Sequence, residues 1–268
     1  MLSSAAAILA LVFVGFPLFV YFMQDRLLFY PQRLDAASRE AVGKRFPFAR
    51  EIFIQSEGSE RLQAWHVPGA AERPLVIYFG GNAEEVSWMI EDARSRVPGI
   101  GWLLVNYRGY GASEGMPSEA MLSADALRWH DHAVAELGAK DVIAFGRSLG
   151  SGPAVYLASQ RPLKAVVLVT PFDSLVEVAK RHYPLLPVSL MLRHPYDSIG
   201  LAPKITVPLL CIAAARDEVI PAAHARRLFE AWGGPKRWLL LEEAGHNTTD
   251  SHPLFWQNVG EFLAKSGP

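Results

Sequence analysis

Cysteine and clustered charge are scarce in this chain, and each scarcity removes a class of protein. Among 268 residues there is one cysteine, Cys211, which excludes an intramolecular disulfide and any Cys-x-x-Cys metal site; in its apolar run the thiol reads as buried and inert. Lys and Arg number 26 against 27 Asp and Glu, a formal net charge of −1, and the basic residues are scattered. No basic stripe is available to neutralise phosphates, so a nucleic-acid partner is set aside. No His-Glu-x-x-His or comparable spacing occurs, so no metal is expected. Internal repeats and low-complexity tracts are missing, and no charged side chain falls between Leu2 and Gln24.

That uncharged stretch is almost wholly apolar from Ala5 to Met23. As a helix it would span about 28 Å, close to the hydrocarbon thickness of a bilayer, with a kink at Pro17. A single-pass N-terminal membrane anchor over residues 1–24 is therefore expected, with the lipid bilayer as a partner. A cleaved signal peptide is the rival reading, and a buried soluble helix a third. Against cleavage, the segment before the apolar run has no Lys or Arg, and Phe19-Val20-Tyr21-Phe22-Met23 offers no small-x-small site. The basic flank Arg26, Arg33, Arg39, Lys44 and Arg45 follows the span, which favours a cytoplasmic location for the rest of the chain, although long domains translocate regardless of flanking charge.

Half of the residues are apolar, enough for one large domain with a single core. After a connector, residues 25–50, short apolar runs alternate with longer amphipathic stretches, the pattern of a mostly parallel sheet flanked by helices. Eight strands are expected: Glu51 to Gln55, Arg61 to Val67, Leu75 to Phe79, Trp102 to Asn106, Val142 to Gly146, Ala165 to Thr170, Pro208 to Ala214 and Lys236 to Leu241. The first two alternate polar with apolar around a Glu-Gly-Ser turn and read as an antiparallel edge hairpin. Asp35 to Pro47 reads as a link from anchor to sheet. Residues 51–268 form the expected domain, with a short cap over residues 176–203.

Gly146-Arg147-Ser148-Leu149-Gly150 follows the strand Val142 to Phe145 and precedes a helical stretch. A serine at such a strand-to-helix turn has an exposed Oγ, and glycines flank it because a Cβ there meets the neighbouring strand and helix. The helix start aims the Leu149 amide at a developing oxyanion. A nucleophilic serine needs a base, and the base an acid. Asp217 lies in the loop after strand Pro208 to Ala214, and His246 after the last strand, giving the chain order Ser, Asp, His of an α/β-hydrolase. Asp173, after another apolar strand, competes as the acid or caps a helix, and Glu218 is a third choice. Gly80-Gly81-Asn82-Ala83 follows the third strand, and the Asn82 amide is the expected second oxyanion donor, with Ala83 next. His130 and His132 face different ways on one helix, and His252 precedes a helix start at Pro253.

These and further motifs resemble the membrane-anchored branch of the α/β-hydrolase-domain serine hydrolases, which includes lipid hydrolases and protein depalmitoylases. The resemblance covers nearly the whole chain. It rests on Gly80-Gly81-Asn82-Ala83, on residues Asn106 through Ser118 (NYRGYGASEGMPS), on Gly-Arg-Ser-Leu-Gly, on Thr170-Pro171-Phe172-Asp173-Ser174-Leu175, and on Gln24 through Pro31 (QDRLLFYP). Gly80 stands where relatives usually have histidine, a departure that bears on hydrogen bonding in the oxyanion loop. The resemblance implies hydrolysis of carboxylic esters or thioesters through an acyl-enzyme, without a cofactor. The cap, rich in Tyr183, Leu185, Leu186, Val188, Leu190, Met191 and Leu192, reads either as the lining of an acyl pocket or as an ordinary core-facing helix. An anchored site meets lipidic substrates at high effective concentration, so long-chain acyl substrates are expected. The alternatives are a non-catalytic membrane-tethered binding protein of the same fold and a secreted esterase.

Overall fold

A computed structural model describes residues 11–265. Its centre is an eight-stranded mixed sheet, β1 (Arg50–Gln55), β2 (Arg61–Val67), β3 (Leu75–Phe79), β4 (Gly101–Val105), β5 (Val142–Arg147), β6 (Ala165–Val169), β7 (Leu209–Ala214) and β8 (Lys236–Leu241). The spatial order is β1-β2-β4-β3-β5-β6-β7-β8. β1 pairs with β2, and β2 with β4, antiparallel; every pairing from β4 through β8 is parallel. Every residue of β3, β4, β6 and β7 is buried, as a parallel sheet covered on both faces requires.

The period-two alternation of strand side chains divides the core in two. Leu75, Ile77 and Phe79 of β3 face α4 (Glu119–Ala135) and α5 (Ser151–Gln160), packing with Leu122, Trp129 and Leu157. Val76 and Tyr78 face the other way, toward α3 (Met89–Ser95) and α10 (Pro253–Lys265), with Ile90, Val259 and Leu263. Trp129 is 1 % exposed. Truncating such a side chain to alanine costs about 3–5 kcal/mol, because the cavity collapses only in part.

The N-terminal segment departs from a continuous span. A π-helical turn, Leu11–Gly15, leads into α1 (Phe16–Leu28), with Pro17 in the first turn of α1 rather than in mid-helix. Proline has no N–H for the ladder and its ring crowds the preceding turn, so the hydrogen-bond register changes there. Among the described residues no helix is long and apolar enough to cross a membrane. The 13 residues of α1 extend only about 20 Å. Residues 1–10 of the expected anchor lie outside the described residues. α1 also runs past residue 24: Gln24 is buried, and Phe29 beyond it joins the core.

Two other segments hold short helices. The connector holds α2 (Ala36–Arg45), capped by Asp35 Oδ1, which accepts from the Ser38 amide at 2.7 Å, and ending in Lys44 and Arg45. The cap is three short helices, α6 (Leu175–His182), α7 (Val188–Met191) and α8 (Ser198–Leu201). Ser174 starts α6 by accepting from the Glu177 amide, and Pro184 and Pro187 lie between α6 and α7, where they prevent one continuous helix.

Candidate active site

Loops at the carboxyl ends of β3, β5, β7 and β8 converge on one cleft of about 450 Å³, where an open α/β sheet gathers its ligand-facing groups. Ser148 directly follows β5 with φ +51°, a left-handed conformation that serine adopts only under constraint from its surroundings. The flanking glycines are required by close packing. A Cβ at Gly146 would lie 2.5 Å from the Gly150 carbonyl oxygen and 2.8 Å from Ala154 Cβ, and one at Gly150 would overlap the Phe79 carbonyl. The chain turns through a 3₁₀ segment, Ser148–Gly150, directly into α5, and Ser151 Oγ donates to the Ser148 carbonyl at 2.7 Å.

His246 Nε2 is 2.8 Å from Ser148 Oγ, and His246 Nδ1 is 2.7 Å from Asp217 Oδ2. The other carboxylate oxygen of Asp217 accepts from the Val219 and Ile220 amides at 2.9 and 2.7 Å, which fixes the carboxylate before the ring reaches it. A carboxylate only accepts, so the proton sits on Nδ1 and Nε2 accepts from Ser148 Oγ. The structure thus brings together the three side chains expected from the sequence. The Asp217 side chain is 1 % exposed and that of His246 10 %.

Asp173, the competing acid, is engaged elsewhere. Its Oδ1 is 2.7 Å from His224 Nδ1 and accepts from the Ser174 amide at 2.8 Å, while Oδ2 accepts from Arg227. Burial raises the Asp173 pKa, but hydrogen bonds from His224, Arg227 and Ser174 outweigh it and hold the carboxyl below its ordinary value. Asp173 therefore ties the β6 loop to α9 (Ala222–Ala231). Glu218 is exposed. His130 contacts Asp131 and the Pro162 carbonyl, and His252 Nδ1 accepts from the Leu254 amide at the start of α10. Cys211 is fully buried in β7, and burial pushes its thiol pKa up. Among the described residues, no three His, Cys, Asp or Glu side chains group as metal ligands.

Leu149 and Asn82 both line the cleft. The loop carrying Asn82 is held from outside itself. The Asn82 carbonyl accepts from Tyr110 Oη at 2.5 Å and from the Tyr30 amide at 3.1 Å, and Asn82 Nδ2 donates to the Leu28 carbonyl at 3.1 Å. Tyr107 Oη donates to the Gly80 carbonyl at 2.7 Å. The segment following α1 is thereby a strap across the loop.

Gly80 also acquires a physical reason. A Cβ there would lie 3.0 Å from the Glu84 carboxyl carbon and 3.2 Å from Val86 Cγ1. The Glu84 carboxylate fills that space and accepts from Tyr78 Oη at 2.6 Å, the Gly81 amide at 2.7 Å and Trp88 Nε1 at 3.0 Å. Burial, then the Glu84 charge, push the Tyr78 pKa well up, so the phenol stays a neutral donor. The Glu84 carboxylate is half-buried, and Arg147 balances its charge. Burial works against the Arg147 charge, but Tyr78, Glu84 and Asp250 outweigh it and raise its pKa; the guanidinium lies 5.6 Å from the Trp88 ring centroid and 3.7 Å from Asp250. Sequence reasoning passed over Glu84, Trp88, Tyr30, Tyr110 and the role of Arg147. Tyr30 and Tyr110 lay inside the motifs QDRLLFYP and NYRGYGASEGMPS and Arg147 beside the serine in the glycine-flanked motif, whereas Glu84 and Trp88 carried no local signal.

Residues 74–191 match the alpha/beta hydrolase fold family. An uncharacterized protein of Mycobacterium tuberculosis is 36 % identical over 246 residues, covering 90 % of this chain and 86 % of that protein. An uncharacterized membrane protein of Saccharomyces cerevisiae is 29 % identical over 261 residues, covering 92 % of this chain and 91 % of its own length. Among solved structures, an esterase of Pyrococcus furiosus superposes with a TM-score of 0.70 at 18 % identity, over 89 % of this chain and 98 % of the esterase. The sheet order, the turn at Ser148 and the extent of these matches give one conclusion: the chain belongs to the alpha/beta hydrolase fold family.

Proposed function

We propose that the protein is a serine hydrolase that cleaves carboxylic esters or thioesters of long acyl chains through an acyl-enzyme. The observation that carries this reading is the unbroken relay from Ser148 Oγ through His246 to Asp217, with contacts of 2.8 and 2.7 Å. His246 Nε2 takes the Ser148 proton as Oγ attacks the acyl carbon, and Asp217 stabilises the imidazolium that results. The tetrahedral oxyanion is met by the backbone amides of Leu149 and Asn82, the first reinforced by the helix start behind it. His246 then protonates the leaving alkoxide or thiolate, and water, activated by the same imidazole, releases the acid. No cofactor enters these steps.

Membrane attachment through the N-terminal segment belongs to the same proposal. Phe13, Phe19 and Phe22 are each more than 60 % exposed, an apolar surface that water does not favour. The yeast relative carries the name of a membrane protein.

The acyl-enzyme is the testable species. Mixing the protein with excess nitrophenyl ester should release a burst of about one nitrophenol per enzyme before steady turnover, and the acyl mass should appear on the peptide containing Ser148. No turnover by the folded wild-type protein would favour a non-catalytic binding role instead.

A further inference from the structure

A second cavity, of about 550 Å³, adjoins the cleft that contains Ser148. One wall is α1; the other is the cap, through α6 and α7. Leu28, Leu175 and Val178 line both spaces, so the apolar wall of the cleft continues into the groove. Phe16, Phe19 and Leu27 of α1 extend that lining and are 51, 61 and 51 % exposed, which opens the groove onto the apolar face of the N-terminal segment.

The groove is fixed by specific bonds. Gln24 Nε2 donates to the Tyr21 and Met191 carbonyls at 2.8 and 3.2 Å, and Gln24 Oε1 accepts from the Arg193 amide at 2.7 Å. Asp25 pairs with His194 Nε2 at 2.9 Å and with the Arg193 guanidinium at 3.0 Å. His182, another lining residue, turns Nε2 to the Val219 carbonyl at 2.8 Å. The amide and the imidazole that border the space are thus bonded to backbone, and most of the remaining wall is hydrocarbon.

We propose that this groove holds the acyl chain of the substrate, which runs from Ser148 past Leu28, Leu175 and Val178 and between α1 and the cap. The proposal rests on the serine-hydrolase reading and adds to it a place for the chain and a direction of entry from the lipid phase. At about 30 Å³ for a group the size of a water molecule, the volume accommodates more than ten methylenes. A peptide is a poor occupant, because its N–H and C=O groups would be left without partners against such walls. A linear hydrocarbon gains with every group buried, about fourfold in affinity per methylene. The cap supports a lipid source, since Leu185 and Leu190, in the segment that forms this wall, are 96 and 89 % exposed.

Filling the groove tests the assignment. Ala179 and Leu186 line it on the cap side and are only half-buried, so Ala179→Trp and Leu186→Trp change volume at positions that tolerate it. With the full chain in detergent micelles, kcat/KM is measured for nitrophenyl butyrate and nitrophenyl dodecanoate. The ratio of long-chain to short-chain kcat/KM should fall about tenfold or more in each variant. Turnover of butyrate with the ratio unchanged in both folded variants overturns the groove assignment alone. Wild-type protein that turns over neither ester overturns the serine-hydrolase reading, and the groove with it.

Discussion

The Tyr110 hydroxyl and the Asn82 carbonyl, 28 positions apart in sequence, form a 2.5 Å hydrogen bond that fixes the loop facing Ser148, and the same hydroxyl accepts from the Tyr30 amide at 3.0 Å. One phenol therefore joins the loop, the Asn106–Ser118 turn region and the strap after α1. In Tyr110→Phe the ring remains and the grip on the loop is lost. kcat should drop about tenfold, equivalent to about 1.4 kcal/mol, with KM little changed, because the oxyanion role proposed for the Asn82 amide acts on the transition state more than on the bound ester. Steady-state kinetics on a nitrophenyl ester separates the two constants, and an effect confined to KM would contradict the positioning role.

The two aspartates should behave differently on substitution. Asp217→Asn keeps the shape but disturbs the imidazole tautomer, so kcat should fall by about 10⁴ with thermal stability nearly unchanged. Asp173→Asn should retain most of the activity and lose stability, on the order of 3 kcal/mol, since it leaves buried His224 and the guanidinium of Arg227 without their carboxylate. Paired activity and melting measurements check both. Loss of activity in Asp173→Asn alone would reverse the assignment of the acid.

Asp173 also imposes a pH dependence. Its folded pKa is depressed, so its contribution to stability is present above the unfolded value near 3.9 and is lost as pH falls toward the folded value. The melting temperature of the wild type should therefore converge on that of Asp173→Asn as the buffer is taken below about pH 4. A gap between the two that stays constant from pH 7 to pH 3 would contradict the hydrogen-bond account of that shift.

Glu84→Ala removes the acceptor for the Gly81 amide, Tyr78 and Trp88 and leaves Arg147 short of compensating charge. kcat/KM should fall tenfold to a hundredfold, about 1.4–2.7 kcal/mol. Glu84→Gln keeps an acceptor oxygen and should recover part of the loss, which a simple volume effect would not produce.

The sheet was legible because its strands are nearly uninterrupted apolar runs bounded by turn residues, and the eight found differ from those expected by a residue at some ends. Trp102 to Asn106 shifts to Gly101–Val105, for instance, and Asn106 just beyond it bonds Gln63 and the Val86 amide through its side chain. Ser148, Asp217 and His246 were legible for a related reason: each follows a strand, and the fold delivers strand ends to one place. What escaped depends on contacts that local pattern does not encode. The Tyr30 and Tyr110 bonds to Asn82 join residues far apart in sequence, and the Glu84 carboxylate is explained only once Gly80 is seen to leave room for it. Helix α2 is short and polar, without the apolar stripe that marks a core-facing helix, although Asp35 before it and the basic pair at its end were signals in plain view.

The central claim is that Ser148 is a nucleophile activated by His246, and covalent labelling with a fluorophosphonate tests it most directly. The folded wild-type protein should be labelled on the peptide that contains Ser148, and Ser148→Ala, equally folded, should not be labelled at all. Persistent labelling of Ser148→Ala, or a wild-type protein that does not react, would contradict the account.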